Sequence, residues 1–477
     1  MGKWRGVLMG TKRRAVNAPS LATPARKAAF DALVAVRKQK AYLVNVAERV
    51  FSPYALDAPD KAFARLLAHG ALSLQATLDL LIDRTLRSPR DIEPDVRDAL
   101  RIAAYEIIYL HKEDHAAVDQ GVELVRFCAP RASGVANYVL HRIVEEKERF
   151  PYGDPQDSLE TAALFYGFPD WLARTIKKDI GTRNALAFME DSLGAAPVYF
   201  AVNGCVATRE EIVRTLEDAG IEYATHRPLS HEGFTASDSV FQLVQRRDVG
   251  STAFMTLLSA EKIIVSDWSA QSIARRSVSI LPQEDARILE IGAGRGTKTV
   301  LVQSFCEECG ITLGRYDALD ISKKKLAGLE VRVEQAGGSL SSTLATDATK
   351  PFAFPDSAYH LVFVDAPCTG IGTLRRHPEI KARLDEDDSR TLAKMGQAML
   401  AQGAGKVAPG GHLLYATCTI MKEENEKTIK RFLASPEGAR FEVAAIGEGG
   451  APFFKTPITP NGPDLHFAAL LRCVRGS

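Results

Sequence analysis

Apolar positions along residues 25–150 recur at the spacing of helical turns. In the stretch Asp95 to Leu110, Val96, Leu100, Ala103, Ala104, Ile107 and Ile108 share one face, and Pro94 suits a first helical turn. Upstream, Leu66, Leu67, Gly70, Leu74, Leu78 and Leu81 make a second stripe. Downstream, Val118, Val122 and Val125, then Val135, Val139 and Ile143, make a third and a fourth. No strand-like alternation interrupts them, so the region reads as an all-α bundle. Phe150-Pro-Tyr-Gly-Asp-Pro155 reads as a linker. From about 160 to 250 the pattern is mixed: a helix around Trp171, an apolar strand Val198 to Val202, and a helix Arg209 to Ala219 closed by Gly220. This predicts a small α/β unit.

Beyond residue 260 strands alternate with helices. Four apolar runs end in carboxylates: Arg287 to Glu290, Tyr316 to Asp320, Ser342 to Asp347, and Leu361 to Asp365. A fifth, His412 to Thr417, follows the turn Pro409-Gly-Gly411. Their spacing suits βαβ crossovers and therefore a largely parallel sheet. Ligands of such sheets bind outside the carboxyl ends of the strands, where these four acids converge. The predicted architecture is multidomain: a basic flexible arm at 1–24, an all-α bundle at 25–150, a small α/β linking domain at 155–250, and a Rossmann-like α/β domain at 251–477.

Composition narrows the class. At 46% hydrophobic and 25% charged over 477 residues, the chain is neither globally disordered nor collagen-like nor a coiled coil. No apolar run has the length of a membrane span, and no secretory signal opens the chain, which points to a cytoplasmic protein. Seven cysteines in so long a chain read as reduced thiols rather than a disulfide framework. The net charge of +1 by itself argues against a nucleic-acid partner, but the average hides an asymmetry. Residues 1–40 hold ten cations and one acid, a local +9 that the rest of the chain offsets. Such a stretch is either a solvated arm or a contact to phosphates.

The first strand runs into Glu290-Ile-Gly292-Ala293-Gly294-Arg295-Gly296-Thr297-Lys298. Glycines there let the backbone approach a ligand at a helix N-terminus, a device shared by nicotinamide and adenosyl cofactors. The accompanying acids discriminate between the two. Asp320 suits ribose hydroxyls, Asp347 suits the adenine amino group, and no diphosphate-binding partner is evident; the bland reading is that these carboxylates cap helices. The set favours S-adenosylmethionine over a dinucleotide.

Two cysteines lie at neighbouring strand ends: Asp365-Ala-Pro-Cys368-Thr-Gly after the fourth strand, and Thr417-Cys418-Thr419 followed by Glu423-Glu424-Asn425 after the fifth. A lone Cys is commonly a small buried hydrophobe, whereas a pair beside a cofactor crevice suggests nucleophilic chemistry. The chemistry that needs a thiolate is methylation of a pyrimidine at C5. Thiolate addition at C6 makes C5 nucleophilic; methyl transfer, loss of the C5 proton and expulsion of the thiol follow. Asp365 is placed to hydrogen-bond N3 and the exocyclic amine. The base must leave its stack or come single-stranded. Which cysteine attacks stays open at this level.

Asp365-Ala-Pro-Cys-Thr-Gly with Arg375-Arg-His-Pro-Glu-Ile380, plus Tyr415-Ala-Thr-Cys-Thr with Glu423-Glu-Asn425, resembles the RNA 5-methylcytosine methyltransferases. Arg65-Leu-Leu-Ala-His-Gly70, Leu100-Arg-Ile-Ala-Ala-Tyr105 and Asn137-Tyr-Val-Leu-His-Arg-Ile143 resemble a NusB-like RNA-binding domain. The combination is similar to the RsmB type of bacterial 16S rRNA cytosine-C5 methyltransferases. The resemblance implies that Cys418 attacks, that Cys368 assists release, and that S-adenosylmethionine meets the 292–298 loop, Glu290, Asp320, Asp347 and Asp365. It also implies an RNA substrate, 16S rRNA before tRNA. Two segments depart from the family pattern: Arg295 and Thr297 stand where it carries Pro and Gly, and Gly462-Pro-Asp-Leu-His-Phe467 replaces its Gly-Asp-Gly-Phe-Phe. The alternative class is a non-enzymatic RNA-binding or antitermination-type factor.

The remaining features carry less. Cys306 and Cys309 lack a second pair, so no metal is expected; Cys128, Cys205 and Cys473 read as packing residues. Arg375, Arg376, Lys381 and Arg383, with Lys323 to Lys325, read as a phosphate-tracking patch or a solvated face. His377 reads as structural or RNA-contacting. Nothing argues against a monomer.

Overall fold

The computed structural model describes residues 20–227 and 240–474. It divides into two compact units, Met1–Asp170 with His377–Ala382, and Trp171–Arg376 with Arg383–Ser477.

The first unit is helical: Pro24–Gln39, Leu43–Phe51, Ala58–Ser73, Gln75–Thr85, Pro94–Ile108, Asp114–Cys128, Ser133–Lys147 and Leu159–Tyr166. Helix Pro94–Ile108 is surrounded by the others, and every residue from Asp98 to Ile108 is buried. Its charged positions are therefore inside, and each is paired. Asp98 meets Arg37 at 2.8 Å and Arg101 at 2.7 Å, Arg101 meets Asp79 at 2.6 Å, and Glu106 meets Arg26 at 2.6 Å. Buried charges persist only when compensated in this way. Gly70 lets Tyr105 close in: a Cβ at Gly70 would lie 2.1 Å from the Tyr105 ring. The stripe from Leu66 to Leu81 is two helices, interrupted at Leu74, whose backbone leaves the helical region. Leu66 and Val135 turn outward, 46% and 40% exposed. Adjacent residues such as Leu66 and Leu67 are 100° apart on a helix and cannot share its narrow buried face.

Of the basic arm expected at 1–24, residues 1–19 lie outside the described residues. The last part of it is fastened to the bundle: the Ser20 hydroxyl donates to Glu123 O, and Leu21 N to the Glu123 carboxylate. The distant segment 377–382 also belongs to this unit. Glu379 accepts from Leu43 N at 2.7 Å, and the buried Lys381 amine donates to Tyr166 O at 2.8 Å.

The second unit contains two sheets. The smaller takes β1 (Tyr199–Val202), β2 (Tyr223–His226), β3 (Val240–Leu243) and β4 (Ile263–Val265) in the order β2-β3-β1-β4, all antiparallel. Its fourth strand lies beyond residue 250, where the sequence pattern put the end of the linking domain. The larger sheet has β5 (Ala286–Ile291), β6 (Leu313–Asp320), β7 (Ser342–Ala345), β8 (Tyr359–Asp365), β9 (Val407–Thr417), β10 (Phe441–Ala444), β11 (Phe453–Lys455) and β12 (Phe467–Cys473). The order is β10-β12-β9-β8-β5-β6-β7, with β11 also on β12. β5 to β9 pair in parallel, as the crossover spacing predicts, and β12 joins β9 antiparallel.

The parallel strands are apolar on both faces because helices cover both. Ile288, Leu361 and Phe363 pack with Leu301 and Phe305 of helix Thr297–Glu308 on one side. Leu289, Val362 and Leu413 pack with Met399 and Leu400 of helix Asp388–Ala404 on the other. Strand order reverses beside β5, and the crevice opens at the carboxyl ends there.

Candidate active site

β5 ends at Ile291 and the chain turns through Gly292, Ala293 and Gly294 into Arg295 and Gly296 before helix Thr297–Glu308 begins. Gly292 and Gly296 take φ of +84° and +83°, a region that costs side-chain-bearing residues roughly 1–2 kcal/mol. A Cβ on Gly292 would come within 2.4 Å of Asp365 O, so this glycine is required by contact as well as conformation. Gly292 N and Ala293 N both donate to Leu319 O, and Gly294 N donates to the Asp320 carboxylate at 3.1 Å. Asp320, the last residue of β6, also accepts from Ser322 N at 2.8 Å. The loop and the second strand end thus form one hydrogen-bonded rim. Arg295 is exposed on that rim, and the Thr297 hydroxyl accepts from Arg332 at 2.8 Å.

Glu290 is fully buried beneath the loop rather than facing the crevice. One carboxylate oxygen accepts from the Thr299 hydroxyl at 2.7 Å and the Tyr316 hydroxyl at 2.8 Å; the other has no partner. Burial pushes its carboxyl up to about 7. It acts on the crevice through the loop it supports. Asp347, beyond β7, is at the surface, and hydrogen bonds from Thr349 hold its carboxyl below the ordinary range.

Asp365 ends β8 and meets the Lys298 amine at 2.5 Å. Burial alone would lower that amine, but the carboxylate outweighs it and keeps Lys298 charged; Cys418 is within electrostatic reach of the same cation. β8 and β9 are adjacent parallel strands with Asp365 opposite Ala416, so the loops that follow are neighbours. They bring Cys368 Sγ and Cys418 Sγ to 3.3 Å, and Cys418 N donates to Cys368 Sγ at 3.4 Å. The hydrogen bond to Cys418 and burial hold the Cys368 thiol well above its usual value. Gly372 N donates to Cys418 O at 3.0 Å, closing the first loop over the second.

Asp365, Lys298 and the two thiols therefore stand at adjacent strand ends, Asp320 is tied to the glycine loop above the buried Glu290, and Asp347 is apart at the surface beyond β7. The roles of several residues escaped the sequence reading. Ile321, directly after Asp320, is 73% exposed at the rim, an apolar side chain with no packing reason to be there. Thr369, Thr419, Glu424 and Asn425 knit the two cysteine loops together. The signal available for them was the Cys-Thr pair repeated after both strands. Beside Thr419 opens a cavity of about 400 Å³, bordered by Ile180, Ile420, Lys455, Ile458 and His466.

The expected phosphate patch is corrected at Arg375 and Arg376. Arg375 is buried against Asp191 at 3.2 Å and Pro463 O, while Arg376 pairs with Asp464 at 2.6 Å and Asp267 at 3.3 Å. These arginines satisfy buried carboxylates and present no free guanidinium to a nucleic acid. His377 packs against Tyr42 in a tilted ring contact, with centroids 4.6 Å apart. Cys306 is buried in its helix and pushed up to about 12 by burial. Among the described residues no cluster of His, Cys, Asp or Glu is placed to hold a metal, and no helix is long and apolar enough to cross a membrane.

Comparison with known proteins agrees with this geometry. Residues 277–459 match the family described as 16S rRNA methyltransferase RsmB/F, and residues 23–145 match the NusB family. A Mycobacterium tuberculosis protein, named only as a methyltransferase, is 28% identical over 94% of this chain and 96% of its own length. A Bacillus subtilis protein named as a probable ribosomal RNA small subunit methyltransferase B is 26% identical over 86% of this chain and 88% of its own. The crystal structure of PH0851 shares the fold with a TM-score of 0.73 at 24% identity, covering 95% of this chain and 99% of that one. The chain joins a NusB-family domain to a domain of the 16S rRNA methyltransferase RsmB/F family, and it is an S-adenosylmethionine-dependent RNA methyltransferase.

Proposed function

We propose that the enzyme methylates C5 of a cytosine in 16S rRNA through a covalent bond between Cys418 and C6. The observation that carries this reading is the 3.3 Å approach of the two cysteine sulfurs at adjacent strand ends beside the Lys298–Asp365 pair. One thiol can attack while the other manages a proton.

The crevice fits S-adenosylmethionine. The glycine loop presents bare backbone at the helix N-terminus, and the Asp320 carboxylate suits ribose hydroxyls. Exposed Ile321 offers an apolar face to the adenine, and in this reading Asp347 accepts from its amino group. Arg295, Gly296 and Thr297 complete the turn, and Ala293 is held by Leu319 O. When bound, the cofactor supplies an electrophilic methyl group. The chain's own groups do the rest. Cys418, as thiolate, adds to C6 while the Asp365 carboxylate accepts from the exocyclic amine, and the Lys298 ammonium beside it offsets the negative charge that the addition places on N3. After C5 is methylated, Cys368 gives its proton to solvent, takes the C5 proton, and the Cys418–C6 bond breaks.

In this reading the NusB-family region contributes RNA contacts, and the cavity beside Thr419 receives part of the strand next to the extruded base. Incubation with tritiated S-adenosylmethionine and 16S rRNA tests the reaction: label on C5 of cytosine is expected, and label on nitrogen or ribose refutes it. Cys418→Ala should abolish turnover, whereas Cys368→Ala should accumulate a protein–RNA adduct. An adduct that persists without Cys418 reverses the two roles.

A further inference from the structure

Glu424 is an unusual residue to find behind two thiols. It lies in the turn after β9, is buried, and pairs with no lysine or arginine among the described residues. Its carboxylate instead accepts three hydrogen bonds. Thr369 N donates at 2.7 Å, the Thr369 hydroxyl at 2.9 Å, and the Ser389 hydroxyl, from helix Asp388–Ala404, at 2.9 Å. Thr369 directly follows Cys368. Since its hydroxyl proton is committed to Glu424, the 2.8 Å contact with the Thr419 hydroxyl runs from Thr419 to Thr369. Thr419 directly follows Cys418. One carboxylate therefore holds both residues that follow the cysteines, the first directly and the second through a hydroxyl.

Asn425 anchors the other side of the turn. Its side-chain oxygen accepts from the Thr417 hydroxyl at 2.6 Å, and its amide donates to Thr419 O at 2.9 Å. Neutral side chains could supply such acceptors without the cost of a buried negative charge. The charge itself thus calls for an account.

We propose that Glu424 is a positioning residue for the methyl-transfer reaction: it fixes the separation of the two cysteine loops, and its buried charge disfavours a second negative charge at Cys368, leaving Cys418 as the nucleophile. The proposal rests on the two-cysteine reading above and adds the group that makes the pair unequal. The charged and titratable groups facing Cys368 are few. Cys418 faces it from the β9 loop, Glu424 from the next turn, and Tyr415 from β9 itself, its hydroxyl donating to Glu424 O at 2.7 Å. Asp179 adds a second negative charge toward Glu424. The Lys298 cation is within electrostatic reach of Cys418. One buried carboxylate thus stands behind Cys368, while the Lys298 cation acts on Cys418. Consistently, burial pushes the Glu424 carboxyl up to about 7, opposed by its three donors, so above that pH the charge is present.

The test uses the full chain with Glu424→Gln and Glu424→Ala. Glutamine keeps the shape and an acceptor for Thr369 N but removes the charge. Cys368 and Cys418 are alkylated separately with iodoacetamide at about pH 8 and followed by peptide mass spectrometry. Glu424→Gln is expected to alkylate Cys368 at least about fivefold faster than the parent. It should lower kcat at least about tenfold with KM for RNA and affinity for S-adenosylhomocysteine unchanged, and Glu424→Ala should lower kcat further. A Cys368 alkylation rate within about twofold of the parent in Glu424→Gln overturns the proposal, as does an unchanged kcat. Should the alanine variant fail to fold, the glutamine variant decides alone. If the parent protein transfers no methyl group to RNA, the function proposed above fails, while the alkylation comparison still decides the role of Glu424.

Discussion

Replacing Gly292 by alanine separates two costs that the loop geometry makes distinct. The first is conformational: at φ +84° an alanine is strained by roughly 1–2 kcal/mol. The second is steric. The new Cβ would lie 2.4 Å from Asp365 O, about 1 Å inside ordinary contact. Asp365 cannot simply retreat, because it is paired with Ala416 across β8 and β9 and Ala366 N is bonded to Ala416 O. Forcing that strand end outward adds about 1–3 kcal/mol, for a total of about 2–5 kcal/mol. In a unit of this size each kcal/mol is worth roughly 2–4 °C, so Tm should fall by about 4–20 °C. Gly294→Ala is the internal control: at φ +59° it meets only strain, with its nearest neighbour, Gly292 O, at 3.8 Å. Differential scanning calorimetry of both variants, with calorimetric titration of S-adenosylhomocysteine into each, measures the difference. Equal losses of Tm for the two variants would refute the steric argument, and an unchanged Tm for Gly292→Ala would refute both.

Gly70→Ala drives a Cβ into the Tyr105 ring and should destabilise the helical unit by about 1–3 kcal/mol, seen as an earlier urea midpoint; an unchanged midpoint means Tyr105 can move aside freely. Lys381 is buried with its amine lowered to about 7 from an unfolded value of 10.5, so the unfolded chain binds the extra proton between those limits. The contribution of this lysine to stability is therefore present above 10.5 and lost as pH falls toward 7, and Lys381→Met should flatten the rise in stability between these values. Denaturant titrations across that range check it, and a slope as steep as the parent's would show that the amine is not what titrates. Deleting residues 1–19 removes Lys3, Arg5, Lys12, Arg13 and Arg14 while leaving the Ser20 and Leu21 contacts to Glu123 in place. RNA affinity should weaken and its log–log salt slope shrink by about 0.9 per lost phosphate contact or slightly less, with cofactor affinity untouched; an unchanged slope removes the arm from the RNA interface.

What the sequence made legible was what repeats or what chemistry forces into a fixed place. Alternating strands and helices implied the parallel sheet, and a parallel sheet puts its strand ends side by side. From that alone Cys368 and Cys418 had to be neighbours. β10, β11 and β12 escaped because they add to the sheet antiparallel, outside the crossover rhythm. The interior of the bundle also misled. Asp98, Arg101 and Glu106 look like the solvated face of an amphipathic helix, yet they are buried, because Arg26, Arg37 and Asp79 reach them from other helices.

The adjacent arginines expose the same limit at the site. Arg375 and Arg376 beside His377 read as a cationic patch because counting charges along a chain sees donors and not acceptors. Their acceptors, Asp191, Asp267 and Asp464, lie 184, 109 and 88 residues away in sequence. Asp464 falls in the very segment that departs from the family pattern, so that segment is fastened by Arg376 even where its neighbours have changed. Glu424 inverts the case. It reads as one acid among several in Glu423-Glu-Asn-Glu426, and Glu423 does behave so, pairing with Lys427 and Arg431 at the surface. Only the fold shows that its neighbour turns inward, finds hydroxyls instead of cations, and stands behind the thiols. A charge matters to catalysis by the partners it lacks as much as by those it has. Pairing is tertiary, which is why the nucleophiles could be found in the sequence and the group that sets them apart could not.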